Sequence, residues 1–419
     1  MPCFNRTLVA ENCWHFHSNN TAEAEECFLA DCFVRKTSLP SHLLIPITAI
    51  YALLFLLGVA GNLTTCIVIR KHHFLRKMST NKYLFNLALA DLATLLVGMP
   101  FEIYLLWNQY PWELPDILCN LKAWISETTS YVSVLTILSF SAERYVAICH
   151  SFNLLRLSAI HRKLKYLLLL EWVVAVLSAF PYALFQWADF VLKEWPGKVR
   201  PGPIRRSKMC MFALAFDPSF YTTFQLLFHI SALLFFLLPL LLIVFLYVRI
   251  GSRVTRSRQS LADLNQGAST VSTDFHSKKV LLMLVAVIAA FFICYAPYQL
   301  QRLLFFWIRD REVIGKINHY LYIVSGILFY LATTLNPLLY NLMSKRYRAA
   351  FWEVLTCKEQ HDYYGYTRTR LMTDPHMVRN SGGSQPDTQH RSRLITDPRI
   401  LRRCSAQNGS NASKIESQL

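Results

Sequence analysis

The chain has 419 residues, of which 53% are hydrophobic, 14% aromatic and only 16% charged, with a mean hydropathy of +0.28 and a formal net charge of +17. A water-soluble domain carries nearer a quarter charged residues, so the composition argues against an ordinary soluble protein of two or three domains. The basic balance does not call for a nucleic acid as partner, because the cations frame apolar runs instead of forming one patch.

Residues 1–43 read as an outer tail, polar and in places acidic (Glu23, Glu25, Glu26, Asp31), with no apolar run long enough for a secretory signal. The first apolar span is therefore expected to start membrane insertion itself. Asn5-Arg6-Thr7 and Asn19-Asn20-Thr21 match the glycosylation pattern, which makes Asn5 and Asn19 the expected acceptors. Cys3, Cys13, Cys27 and Cys32 suffice for two bridges whose pairing the sequence leaves open.

Seven apolar stretches follow, near 44–69, 81–106, 119–149, 165–187, 219–248, 279–307 and 317–343. A bilayer core of about 30 Å needs about 20 helical residues, and each stretch is long enough. The predicted fold is an all-α membrane protein, a seven-transmembrane helix bundle over 44–343. Lys and Arg cluster after the first, third, fifth and seventh stretches (Arg70 and Lys71; Arg162 and Lys163; Arg249 and Arg253; Lys345 and Arg346), whereas 108–118 has neither. By the positive-inside rule the N-terminus lies outside the plasma membrane and the C-terminus in the cytoplasm. One outer segment departs from the rule: 189–208 holds Lys193, Lys198, Arg200, Arg205, Arg206 and Lys208. Those charges are read as ligand-facing, lipid-facing or simply solvated. Cys119, at the outer end of the third span, and Cys210, in the same outer loop, are the pair expected to bridge, tying the loop over the bundle.

The inner loop 252–276 reads as polar and flexible. Residues 344–356 read as a short eighth helix lying in the interface, with Tyr347, Phe351 and Leu355 on one face. Cys357 behind it is either palmitoylated or a plain thiol. The tail 357–419 has too few apolar residues to bury a core and is expected to be disordered.

Polar residues inside the spans are few, and each is a candidate for function. Arg144 stands out, because an uncompensated arginine in a membrane helix costs roughly 2.5–3.5 kcal/mol on insertion scales. Asp91 lies about 16 Å into its helix, near the midplane, where a carboxylate must pair, hold a cation or take up a proton. Ser133 and Asn336 are the expected oxygen-bearing neighbours, which makes a sodium ion one reading and a protonated acid in a water network the other. Pro239, Pro297 and Pro337 each free a backbone carbonyl in a different span, and several such bends suit a bundle that switches between two packings.

Gly61-Asn62, Asp91, Cys119 with Cys210, Glu143-Arg144-Tyr145, Trp172, Pro239 with Tyr247, Cys294-Tyr295-Ala296-Pro297 and Asn336-Pro337-Leu338-Leu339-Tyr340 together resemble the rhodopsin-type G-protein-coupled receptors. The resemblance covers about 44–356. It implies that Arg144 pairs with Glu143 at rest and meets Tyr247 and a heterotrimeric G protein when the sixth helix swings out, with Tyr340 closing that network. Val134, Pro239 and Phe291 would form the packing switch, and Phe152 the apolar knob that meets the G protein. Tyr295 replaces the usual Trp of the sixth span, and Ser151 the usual Pro after His150.

Ser126 stands where amine receptors carry Asp, and Tyr330 where opsins carry the retinal Lys, so neither ligand class fits. Glu102, Glu127 and Arg302 are left around the outer cleft, a set that suits the cationic end of an extracellular peptide; an internal Glu127–Arg302 pair is the alternative. Tyr83 to Asp91, Gly98 to Tyr104 and Trp107 to Trp112 resemble the neuromedin U receptor group and its pyrokinin and capa relatives. That likeness implies an amidated neuropeptide with an arginine near its end and coupling to a Gq-type protein with calcium release; arrestin recruitment is left open. The ghrelin, motilin and neurotensin receptors are the alternative within the fold. A transporter would show internal repeats, and none is found; no hydrolase, zinc or phosphate-loop motif points to an enzyme.

Overall fold

The computed structural model describes residues 5–17, 19–32, 36–150, 154–215, 217–263, 271–308, 310–343, 348–349 and 351–352. Among them, seven long helical segments form the bundle: Ser41–Lys71, Ser79–Trp107, Asp116–Cys149, Leu154–Leu184, a fifth running from Tyr221 to Asp263, Val271–Trp307 and Arg311–Met343. The third span packs against the second, fourth and fifth, and the seventh against the first and sixth.

The distribution of side chains is the reverse of a soluble bundle. Leu56, Leu169, Leu177 and Ile293 turn outward, while Asn62, Asn86, Asp91, Glu127, Thr136, Glu143, Glu171, Gln299, Arg302 and Asn336 are buried inside. Only a hydrocarbon solvent favours that arrangement.

The inward polar groups hold the spans to one another. Asn62 donates to the carbonyls of Gly58 (2.9 Å) and Thr333 (3.1 Å), joining the first and seventh spans. Trp172 Nε1 donates to Asn86 Oδ1 at 2.9 Å, Asn86 Nδ2 to Thr136 Oγ1 at 2.8 Å, and Thr136 Oγ1 to Glu171 Oε2 at 2.9 Å, a chain through spans two, three and four. Gly58 is needed for close approach: a Cβ there would lie 2.7 Å from Leu95 Cδ1 and 2.8 Å from Thr334 Oγ1. Gly58→Leu should therefore wedge spans one, two and seven apart at a cost of about 1–3 kcal/mol. Surface labelling should show reduced delivery; a wild-type level would contradict this packing.

Two spans contain π-helical turns, Thr94–Gly98 just before Pro100 and Leu233–Leu237 just before Pro239. Each wider turn shifts the facing of the residues beyond it. The fifth span is entered through a short turn capped by Asp217, whose Oδ1 accepts from Ser219 N at 2.8 Å. Those bonds from Ser219 hold the exposed Asp217 carboxyl below the usual carboxylate range.

Several expected boundaries are corrected. The fourth helix stops at Leu184 instead of 187, because strand β1 (Gln186–Phe190) begins two residues later. Loop 252–276 is largely helical: the fifth span continues to Asp263 and the sixth begins at Val271. Of the eighth helix, Arg348, Ala349, Phe351 and Trp352 are helical; the rest of 344–356, Cys357 and the tail behind it lie outside the described residues, as does Phe152.

The outer tail is also structured. Helices α1 (Arg6–Phe16) and α2 (Thr21–Cys32) are clasped by a Cys13–Cys27 disulfide, and Cys32 is disulfide-bonded as well. Asn5 caps α1 by accepting from Leu8 N at 3.1 Å. The pair packs Phe28, Leu29 and Trp14 against Trp195, Ile204 and Met209 of the outer loop and Tyr110 of the preceding one. The basic loop segment is therefore neither ligand-facing nor lipid-facing as a whole. Arg206 pairs with Glu26 and its backbone N donates to Glu25 Oε2 at 3.0 Å. Arg200 lies 5.1 Å from the ring centroid of Trp14, and Lys208 bonds Asp116 at 2.7 Å. The Arg206–Glu26 ion pair thus joins the acidic tail to the basic loop, while Lys208 ties the loop to the third span.

Candidate ligand and coupling sites

The outer site is assembled from spans two to seven, held together by the disulfide and two ion pairs. Strands β1 and β2 (Lys208–Phe212) form an antiparallel hairpin with Ala188 opposite Cys210. Cys210 bridges Cys119, with 5.7 Å between the Cα atoms, fixing the hairpin to the outer end of the third span. Eight residues further along that span Glu127 is buried and accepts from Arg302 and, at 2.7 Å, from Tyr298 OH, both on the sixth span. The Arg302 guanidinium lies 4.2 Å from the ring centroid of Tyr298, 5.0 Å from Phe228 and 5.3 Å from Tyr182, so aromatic faces from spans four, five and six enclose it. Glu127 Oε2 and Arg302 Nη1 have no hydrogen-bond partner among the described residues.

Glu102 forms the second centre. Its Oε2 accepts from Lys122 Nζ of the third span at 3.3 Å, and its Oε1 from Tyr322 OH of the seventh. Both Glu102 and Asp91 thus face the seventh span, although the π turn lies between them. Lys122 and Tyr322 were not singled out from the sequence. The available signal was a lysine three residues after Cys119, within a span already chosen for its rare charges.

Nearer the midplane, Asn336 Nδ2 donates to Asp91 Oδ2 at 2.8 Å. Ser133, expected beside Asp91, donates its hydroxyl to the Thr129 carbonyl at 3.0 Å. Beneath this level Val134, Phe291, Ile243, Ile288 and Phe292 pack in one cluster with Tyr295, whose ring is stacked on Tyr298 and tilted against Phe236, Phe291 and Phe329. Pro239 is buried. An aromatic column therefore runs from Tyr298, on Glu127, to Phe291 and Phe292 in the inner half.

At the inner end Arg144 Nη2 donates to Glu143 Oε1 at 2.7 Å, and Ser79 Oγ donates to the same oxygen at 2.7 Å. Glu143 is buried, whereas a quarter of the Arg144 side chain is exposed. The Arg144 guanidinium also lies 5.3 Å from the Phe140 ring centroid. Tyr247 packs in the cluster around Ile243 and Phe292, and Tyr145 lies 5.4 Å from the His150 ring. The Tyr340 side chain lies outside the described residues.

A lipid-facing exterior, an inward polar network and an outer charged cleft joined by packed aromatics to an inner Glu–Arg pair are the build of a seven-helix membrane receptor. The 7 transmembrane receptor (rhodopsin family) model matches residues 61–340, and the chain belongs to that family, a plasma-membrane multi-pass receptor and not an enzyme. It is 34% identical to neuromedin-U receptor 2 of Mus musculus over 358 residues, covering 83% of this chain and 86% of the relative. It is 32% identical to the pyrokinin-1 receptor of Drosophila melanogaster (76% and 82% covered) and 34% identical to growth hormone secretagogue receptor type 1 of Homo sapiens (84% and 90%).

Proposed function

We propose that the chain is a receptor for a C-terminally amidated neuropeptide of the neuromedin U type, carrying an arginine near that end and signalling through a Gq-type G protein and calcium. The observation that carries this reading is the pair of buried carboxylates, Glu102 and Glu127, at the outer cleft of a family receptor whose relatives include neuromedin-U and pyrokinin receptors. The ligand guanidinium is assigned to Glu102. The unpartnered Glu127 Oε2 and Arg302 Nη1 want one donor and one acceptor, which a terminal carboxamide supplies together. Arg144, released from Glu143, would meet the G protein, with Tyr145, Tyr247, Tyr340 and Phe152 around it and Val134, Pro239, Phe291 and Tyr295 as the intervening switch. Asn5 and Asn19 are both exposed and accessible for glycans.

A dose-response screen of amidated neuropeptides on cells expressing the chain tests the reading. Neuromedin U and pyrokinins should evoke calcium release. A response confined to ghrelin- or motilin-type peptides would replace this ligand assignment.

A sodium ion on the Asp91 carboxylate near the midplane belongs to the same proposal, with the Ser133 hydroxyl as a further oxygen ligand and Asn336, whose Nδ2 donates to Asp91 Oδ2, orienting the carboxylate. Sodium should lower agonist affinity in the wild type, and Asp91→Asn should remove that dependence. Equal sodium sensitivity in both would place the ion elsewhere.

A further inference from the structure

The two ion pairs of the outer site differ in how readily they can be opened. Glu127–Arg302 joins two planar groups, shares its carboxylate with Tyr298 and has its guanidinium enclosed by three aromatic rings. Glu102 shares its carboxylate with Tyr322 in the same way, but its cation is held by a single contact of 3.3 Å to an ammonium on a flexible four-carbon stem, with no aromatic cage around it among the described residues. The Glu102 and Lys122 side chains are 11% and 14% exposed, so the pair is largely desolvated yet not sealed from solvent. With Lys122 counted, the four ionised groups Glu102, Lys122, Glu127 and Arg302 carry no net charge. A cationic ligand therefore finds no uncompensated carboxylate waiting for it.

We propose that Lys122 is an internal competitor for the ligand's cation: it occupies Glu102 in the free receptor and is displaced when a guanidinium arrives. The inference rests on the peptide reading above and deepens it. A guanidinium can form two parallel bonds to the Glu102 carboxylate where Lys122 makes one, and a bidentate charged pair is the stronger of the two. The displaced ammonium swings on its flexible stem toward solvent, to which 14% of the side chain is already exposed. Lys122 thus sets how strong a cation must be to bind, and Glu102, not Glu127, is the carboxylate that changes partner.

The test uses the full-length receptor, neuromedin U, and an analogue in which the arginine nearest its C-terminus is replaced by glutamine. Lys122→Gln should raise the potency of the arginine peptide by about tenfold or more, since a largely desolvated pair couples more strongly than an exposed one, and leave the glutamine analogue unmoved. Lys122→Arg, which strengthens the internal pair, should lower the arginine peptide's potency and again spare the analogue. A merely structural lysine would shift both peptides together. Should Lys122→Gln fail to reach the cell surface, Lys122→Arg alone decides the sign. Equal shifts for both peptides, or no shift in a receptor that neuromedin U activates, overturns the competitor role and leaves the peptide reading standing. A wild-type receptor that neuromedin U fails to activate removes both.

Discussion

Glu127→Gln is expected to cost about 3–5 kcal/mol, because it leaves the Arg302 guanidinium buried without its counter-charge. Arg302 is 9% exposed, and its remaining neighbours are the aromatic faces of Tyr298, Phe228 and Tyr182, which cannot replace a carboxylate. A cost of that size is a large share of the 5–15 kcal/mol that separates a typical folded protein from its unfolded states. Surface labelling should therefore fall steeply. The reciprocal change, Arg302→Gln, should be milder: Glu127 keeps the Tyr298 hydroxyl as a donor, whereas the aromatic neighbours of Arg302 offer no carboxylate in exchange. The double variant Glu127→Gln with Arg302→Met removes both charges and should recover much of the lost expression without restoring ligand response. Equal expression of Glu127→Gln and wild type would show that the pair is solvated and not buried.

The second large effect concerns Cys119 and Cys210. Their bond closes a loop over a sequence separation of 91 residues, and losing such a bridge costs about 2–5 kcal/mol. The consequence is more than local. The hairpin it anchors carries Lys208 and Met209, and through the outer loop it connects to the packed helices of the tail. Cys210→Ser should abolish the agonist response in receptors that still reach the surface, because the roof of the site is no longer fixed to the third span. Cys13→Ser should do far less, since that bridge spans 14 residues inside the tail and touches no transmembrane helix. Comparable losses from the two substitutions would contradict this division between roof and tail.

The seven spans were legible because lipid imposes a simple code, long apolar runs framed by cations on one side. Glu102, Glu127, Arg144 and Arg302 were legible for the same reason, since a charge in such a run stands out against its neighbours. What the sequence hid was pairing at a distance. Lys122 sits in the third span 20 positions from Glu102, and only the packing of spans two and three brings them to 3.3 Å. Tyr322 and Tyr298 are ordinary aromatic residues until their hydroxyls are seen on carboxylates. The tail deceived differently. Its apolar residues are too sparse for a core of their own, and Trp14 and Phe28 find one only by sharing it with Trp195 and Ile204 of the outer loop. The same contact explains part of the basic loop that defied the charge rule: Arg206 answers Glu26 of the tail, and Lys208 answers Asp116 of the third span. The helix beyond residue 248 was missed because a polar cytoplasmic extension carries no lipid signature, although its residues are able helix formers.

On this reading, outer recognition and inner coupling are separate ends of one bundle, and Arg144 acts only at the inner end. Agonist binding and calcium release measured side by side on Arg144→Ala test it most directly. Labelled neuromedin U should still bind within about tenfold of wild-type affinity, a change of about 1.4 kcal/mol, while calcium release is lost. Calcium release at wild-type potency in that variant would contradict this reading.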